Sequence, residues 1–172
     1  DWTERGNVVR HNLFGPNIGR RGSPCSPTTS CIRQAVYVDD HFSGTAIVGN
    51  IFLGFQDGDA AGGEAPGSNA VFANGGRDQN VTNNLIIGSD ISVALHGGKT
   101  CGSVNVTLFQ RLYAVPFREP PWSTRYPRLA RILDEAPCSP RGNALAANIV
   151  VNATGSTHWE KTHTWVPNVG GW

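Results

Sequence analysis

Five side chains in the middle of the chain have the types and spacing for acid–base chemistry: Asp39, Asp40, Arg77, Asp78 and His96. Asp39 and Asp40 close one β-type stretch, Asn74 closes a second, and His96 closes a third. If those stretches stack by their apolar residues, Asp39, Asn74 and His96 share one ladder, with Asp40, Arg77 and Asp78 close beside it. Carboxyls so placed suit glycoside hydrolysis, in which one acts as acid and the other as base or nucleophile. A crowded Asp39–Asp40 pair would hold one proton available near neutrality. Elimination from a uronate is the other chemistry, with His96 as base and Arg77 neutralising the carboxylate.

Each of these residues also has a plain structural role. Asp39-Asp40 can end a strand and cap a turn, and Arg77-Asp78 can form a local ion pair. Asn74-Gly75-Gly76 reads first as a tight corner, and His96 before Gly97-Gly98 reads equally as a turn residue. Trp122 and Tyr126, with Tyr113 and Phe117, supply rings of the kind that stack on sugars. The same rings would serve to glue an insertion to its support.

The elements that position these groups come from a repeat. Four segments share one pattern: Gly6 to Phe14, Gly44 to Phe52, Asp78 to Ile86 and Gly142 to Val150. Each runs from a turn residue through a β-type stretch to an Asn six positions on, then two apolar residues. Stacked strands lie about 4.8 Å apart, so Asn12, Asn50, Asn84 and Asn148 are expected to form an amide ladder at a sharp corner. An Asn tolerates left-handed backbone geometry there. Leu13, Ile51, Leu85 and Ile149 are expected to stack inside.

A second strand family interleaves: Ala35 to Asp40, Ala70 to Gly75 and Ile91 to His96. The expected fold is an all-β, right-handed parallel β-helix, a solenoid with protruding loops, forming one domain over 1–172. A β-sandwich would alternate more cleanly and lack the recurring Asn. The loops run over 15–33, 56–69 and 99–141. The last is the largest and carries one short helix around Tyr126–Leu133, with Leu129, Ile132 and Leu133 on one face.

Composition narrows the function classes. Charged residues make up 16% of the chain and the net charge is +1, which leaves no electrostatic footprint for nucleic acid. No apolar run reaches the length of a membrane span. The four cysteines, Cys25, Cys31, Cys101 and Cys138, form no CxxC pair, so two disulfides are favoured over a zinc site. Of three possible connectivities, Cys25–Cys31 with Cys101–Cys138 closes local loops. Sequons at Asn80, Asn105 and Asn152 point the same way, to a secreted glycoprotein. The tail, Thr157 to Trp165, reads as a final strand or cover. With no leader ahead of Asp1, the chain reads as a processed or excised product.

Val36-Tyr-Val-Asp-Asp40, Val48-Gly-Asn-Ile-Phe52, Val71-Phe-Ala-Asn-Gly-Gly-Arg-Asp78 and Asn83-Asn-Leu-Ile86 together resemble the right-handed parallel β-helix proteins of the pectate-lyase-like superfamily. Pro120-Pro-Trp-Ser-Thr-Arg-Tyr-Pro-Arg-Leu129 resembles the insertion of that group, and the likeness spans Val8 to Val151. The resemblance implies ancestry among polysaccharide-degrading enzymes and a C-terminal part of a longer protein. It also brings calcium as an occasional cofactor, for which Asp57, Asp59 and Glu64 are oxygen ligands outside any EF-hand spacing. Three readings follow: a hydrolase or lyase on an extracellular polysaccharide, an assembly glycoprotein whose units stack end to end or meet a companion fragment, and a non-catalytic carbohydrate-binding module.

Overall fold

The computed structural model describes residues 1–15, 17–18, 34–56, 69–89, 91–96, 105–152 and 158–159. Short strands arise where the sequence alternates between turn residues and β-branched or aromatic runs. In chain order they are β1 (Val8–Arg10), β2 (Leu13–Phe14), β3 (Asn17–Ile18), β4 (Gln34–Val38), β5 (Ala46–Val48), β6 (Ile51–Leu53), β7 (Phe55–Gln56), β8 (Asn69–Asn74), β9 (Asn80–Thr82), β10 (Leu85–Ile87) and β11 (Ile91–His96). After the insertion come β12 (Ala144–Ala146), β13 (Ile149–Val151) and β14 (His158–Trp159).

The strands form three four-stranded sheets, ordered β1-β5-β9-β12, β2-β6-β10-β13 and β4-β8-β11-β14, and a pair β3-β7. Every pairing is parallel. Both strand families read from the sequence are present.

The amide ladder forms at the corner between the first two sheets. Asn12, Asn50 and Asn84 each donate a backbone N–H and a side-chain amide to the Oδ1 of the next Asn, at 2.9–3.1 Å. The second amide hydrogen of Asn50, Asn84 and Asn148 goes to the carbonyls of Val9, Ile47 and Val81. The left-handed residue is not the Asn but the one before it. His11, Gly49, Asn83 and Ala147 have φ of 55°, 65°, 57° and 54°.

That geometry reverses the expected facing of the strand that follows. Leu13, Ile51 and Ile149 point outward and are exposed, at 65%, 40% and 63%. Phe14, Phe52, Ile86 and Val150, one residue later, form the inward row, and Phe52 and Ile86 are fully buried. A side-chain period of two makes this a shift of the whole row. Phe14, Phe52 and Ile86 of this row join Ile47, Val81, Val71 and Val93 in the main core, and Phe14 stacks on Phe52 at 4.8 Å.

The all-β solenoid expectation is corrected, because residues 105–134 contain three helices and a 3-10 turn and the chain is mixed α/β. They hold α1 (Asn105–Tyr113), α2 (Trp122–Arg125), α3 (Pro127–Ala130) and a 3-10 turn at Ile132–Asp134. The single helix expected around Tyr126–Leu133 is divided between α3 and that turn. These elements own a second core of Leu108, Leu112, Phe117, Leu129 and Ile132, against which Trp2 is buried. Burying that many apolar side chains away from the sheets makes the insertion a packed layer rather than a loop.

Arg77 and Tyr126 are among the residues that fix the insertion to the sheets. Arg77, 2% exposed, donates to the carbonyls of Glu135 and Ala136 at 3.1 and 2.9 Å and pairs with the Glu135 carboxylate at 3.3 Å. Tyr126 donates its hydroxyl to the Arg5 carbonyl at 3.4 Å. A Cβ at Gly6 would lie 2.7 Å from that hydroxyl, so only glycine fits beneath the ring.

Candidate functional site

β4 and β8 run parallel with Tyr37 opposite Phe72 and Val38 opposite Ala73. Alternation along each strand places Tyr37 and Asp39 on one face, with Phe72 and Asn74 beside them. Asn74 Nδ2 donates to Asp39 Oδ1 at 2.9 Å. Asp40 N–H donates to the same oxygen at 2.8 Å, and the Tyr37 side chain stands on the same face. β11 extends the register, its backbone setting His96 opposite Asn74. The expected ladder of Asp39, Asn74 and His96 is therefore present at the level of the strands.

Burial alone would raise the Asp39 pKa. The hydrogen bonds from Asn74 and Asp40, with the Tyr37 hydroxyl nearby, outweigh it and hold the carboxyl below its ordinary value. Asp39 is therefore an anion that accepts hydrogen bonds, not a proton donor. Tyr37 is pushed the other way, first by burial and then by the Asp39 charge. Its ring is 49% exposed and meets Phe72 edge to face at 5.1 Å.

Asp40 and His41 turn the chain at the end of β4 with φ of 50° and 58°. The Asp40 side chain is exposed, whereas His41 is buried at 7%. Its imidazole lies against Gly75, where a Cβ would come within 2.7 Å of Nδ1. Burial first, and the nearby N-terminal amine second, lower the His41 pKa.

Asp78 and Arg77 sit at the next corner and face the insertion. Asp78 Oδ2 accepts from Arg5 at 2.6 Å and Oδ1 from Arg128 at 3.0 Å, so both oxygens are engaged. Trp122 and Tyr126 belong to the insertion as well, 5.9 Å apart and packed against its core. The structure thus divides the sequence candidates in two: Asp39, Asn74 and the His96 backbone on the sheet face, and Arg77, Asp78, Trp122 and Tyr126 at the docked insertion.

Sequence reasoning missed Tyr37 and Phe72. The signal was present, since both lie two residues before a polar candidate on a strand of period two. Asn80 is exposed in β9 between Ala46 and Ala144, Asn152 is exposed after β13, and Asn105 opens α1. Cys138 is disulfide-bonded. Cys25, Cys31 and Cys101 lie outside the described residues, as do Asp57, Asp59 and Glu64. Among the described residues there is no group of three or more potential metal ligands, and no helix long and apolar enough to cross a membrane.

Comparison with protein-family models, curated proteins and solved structures finds no match to this chain.

Proposed function

We propose that the face formed by Tyr37, Asp39, Phe72 and Asn74 is a glycan-binding surface of a secreted protein. The observation that carries this reading is a half-exposed tyrosine on the same strand face as an ionised carboxylate bonded to an amide. A sugar offers both an apolar C–H face and a fringe of hydroxyls. An aromatic ring takes the first, and an acceptor–donor pair takes the second.

Binding is preferred here to two-carboxylate hydrolysis. Asp39 is held as an anion, and both oxygens of Asp78 are committed to Arg5 and Arg128. Neither is arranged to deliver a proton to a glycosidic oxygen. The Cys138 disulfide and the exposed Asn80 and Asn152 sequons support an extracellular setting.

Isothermal titration against a panel of neutral and acidic oligosaccharides tests the reading. At least one class should bind, and Tyr37→Ala should weaken it by at least tenfold while circular dichroism stays native. Absence of binding across the panel, or a Tyr37→Ala variant that binds as well as the parent, contradicts it.

A further inference from the structure

Among the described residues, the second sheet ends at β13 with its ladder unfinished. Ile149 N–H donates to the Asn84 carbonyl at 2.9 Å, and the Val151 carbonyl accepts from Gly88 N–H at 2.9 Å, so both residues face β10. In a parallel ladder successive residues bond to opposite neighbours. Val150 therefore turns its own N–H and C=O away from β10, to a side where no described residue pairs with them. Its side chain belongs to the inward row with Ile86, yet it is 43% exposed where Ile86 is fully buried.

The amide ladder stops at the same place. Each Asn gives its backbone N–H and one amide hydrogen to the next, but Asn148 is the last of the series. Among the described residues, its backbone N–H meets no acceptor. At the opposite end Asn12 is exposed, and no described donor reaches its Oδ1. One edge thus offers the donors of the ladder, and the other offers its acceptor.

We infer that the chain assembles head to tail with a second copy of itself, β2 of one protomer pairing in parallel with β13 of the next. The occupant is specified by complementarity. A strand that completes this edge needs an Asn Oδ1 at the corner and an aliphatic or aromatic residue two positions on, to cover Val150. β2 supplies both through Asn12 and Phe14. Addition of an extended strand to an exposed edge is an established route to association. This contact is heterologous, so it leads to open chains rather than closed dimers. It does not depend on the glycan reading, because the Tyr37–Asn74 face belongs to another sheet.

Sedimentation velocity of the full chain over a wide concentration range tests the inference, with Val150→Pro as the probe. Proline there removes the outward N–H and no hydrogen bond among the described residues, a position that tolerates it. The parent should grow in mass with concentration. Val150→Pro should sediment as a monomer with native circular dichroism, and should shorten parent assemblies when mixed in, since its β2 edge is intact. Val150→Glu, which charges the same edge, should behave alike and stands in should the proline variant fail to fold. A parent that remains monomeric throughout, or variants that assemble as the parent does, overturns it.

Discussion

Asn74 Nδ2 donates to Asp39 Oδ1 across 2.9 Å and ties the C-terminal end of β8 to that of β4. The bond favours the ionised form of Asp39, because the amide donates more strongly to a carboxylate than to a neutral carboxyl. Asn74→Ala removes one of its two hydrogen-bond donors, so the Asp39 pKa should rise toward its ordinary value. A carbon-detected NMR titration of the carboxyl measures this, and an unchanged midpoint would leave the amide without influence.

Acid should destabilise the fold in two windows. His41 has a depressed pKa when folded, so below its ordinary value of 6.5 the unfolded chain binds a proton that the folded chain resists. Stability contributed by the neutral imidazole is therefore intact above that pH and declines as pH falls through it. Asp39 acts lower, below its ordinary 3.8, where the folded carboxylate must finally be protonated. Urea midpoints between pH 5 and 8 should drop toward acid in the parent and less steeply in His41→Gln, where the Asp1 amine, lowered to about 6, still titrates.

The ladder should be costly to break inside and cheap at its end. Asn50 is 1% exposed; its Oδ1 accepts two bonds and its amide donates two. Asn50→Ala leaves several buried partners unsatisfied and should cost about 3–5 kcal/mol. Asn12 lies at the exposed end, and Asn12→Ala should cost about 1 kcal/mol by chemical denaturation.

Arg77 should hold the insertion in place. Replacing it with methionine abandons the carbonyls of Glu135, Ala136 and Ser139 and the Glu135 carboxylate, at about 3–5 kcal/mol. Hydrogen exchange should then rise first in α1 and α3, while the β6 and β10 amides remain protected. Uniform loss of protection would mean that the insertion and sheets fold as one unit.

Gly76 should admit no side chain. Its φ is +84°, and an added Cβ would run into the backbone carbonyl of Phe42. Gly76→Ala combines the left-handed penalty of about 1–2 kcal/mol with a clash that no rotamer relieves. Thermal denaturation should show a loss well beyond that of an Ala introduced at exposed Gly15, where nothing lies within 4 Å.

Much of the sheet scaffold was legible because its determinants are local. Asn12, Asn50, Asn84 and Asn148 recur at one offset from a turn residue, and the strands around them are where the repeat puts them. The facing of Leu13 and Ile149 was not legible. It depends on the left-handed residue preceding the Asn, and three of the four such residues (His11, Asn83 and Ala147) lack the glycine that would have announced it. The α1 helix was hidden by Val106, Thr107 and Phe109, which favour strands. Leu108 and Leu112, one turn apart, are held helical by packing on Trp2 and Leu129. Asp39 and Asn74 could be paired from the strand register alone. Asp78 could not be separated from them, because its partners Arg5 and Arg128 lie 73 and 50 residues away.

The most direct test of the glycan-binding surface is an NMR titration with the tightest oligosaccharide of the panel, following side-chain amides and aromatic protons together. The account predicts shifts concentrated on Tyr37, Phe72 and the Asn74 amide, with the Asn50 and Asn84 amides unmoved. Shifts confined to Phe109 and Tyr113 on α1, or absent from the Tyr37–Asn74 face, would contradict it.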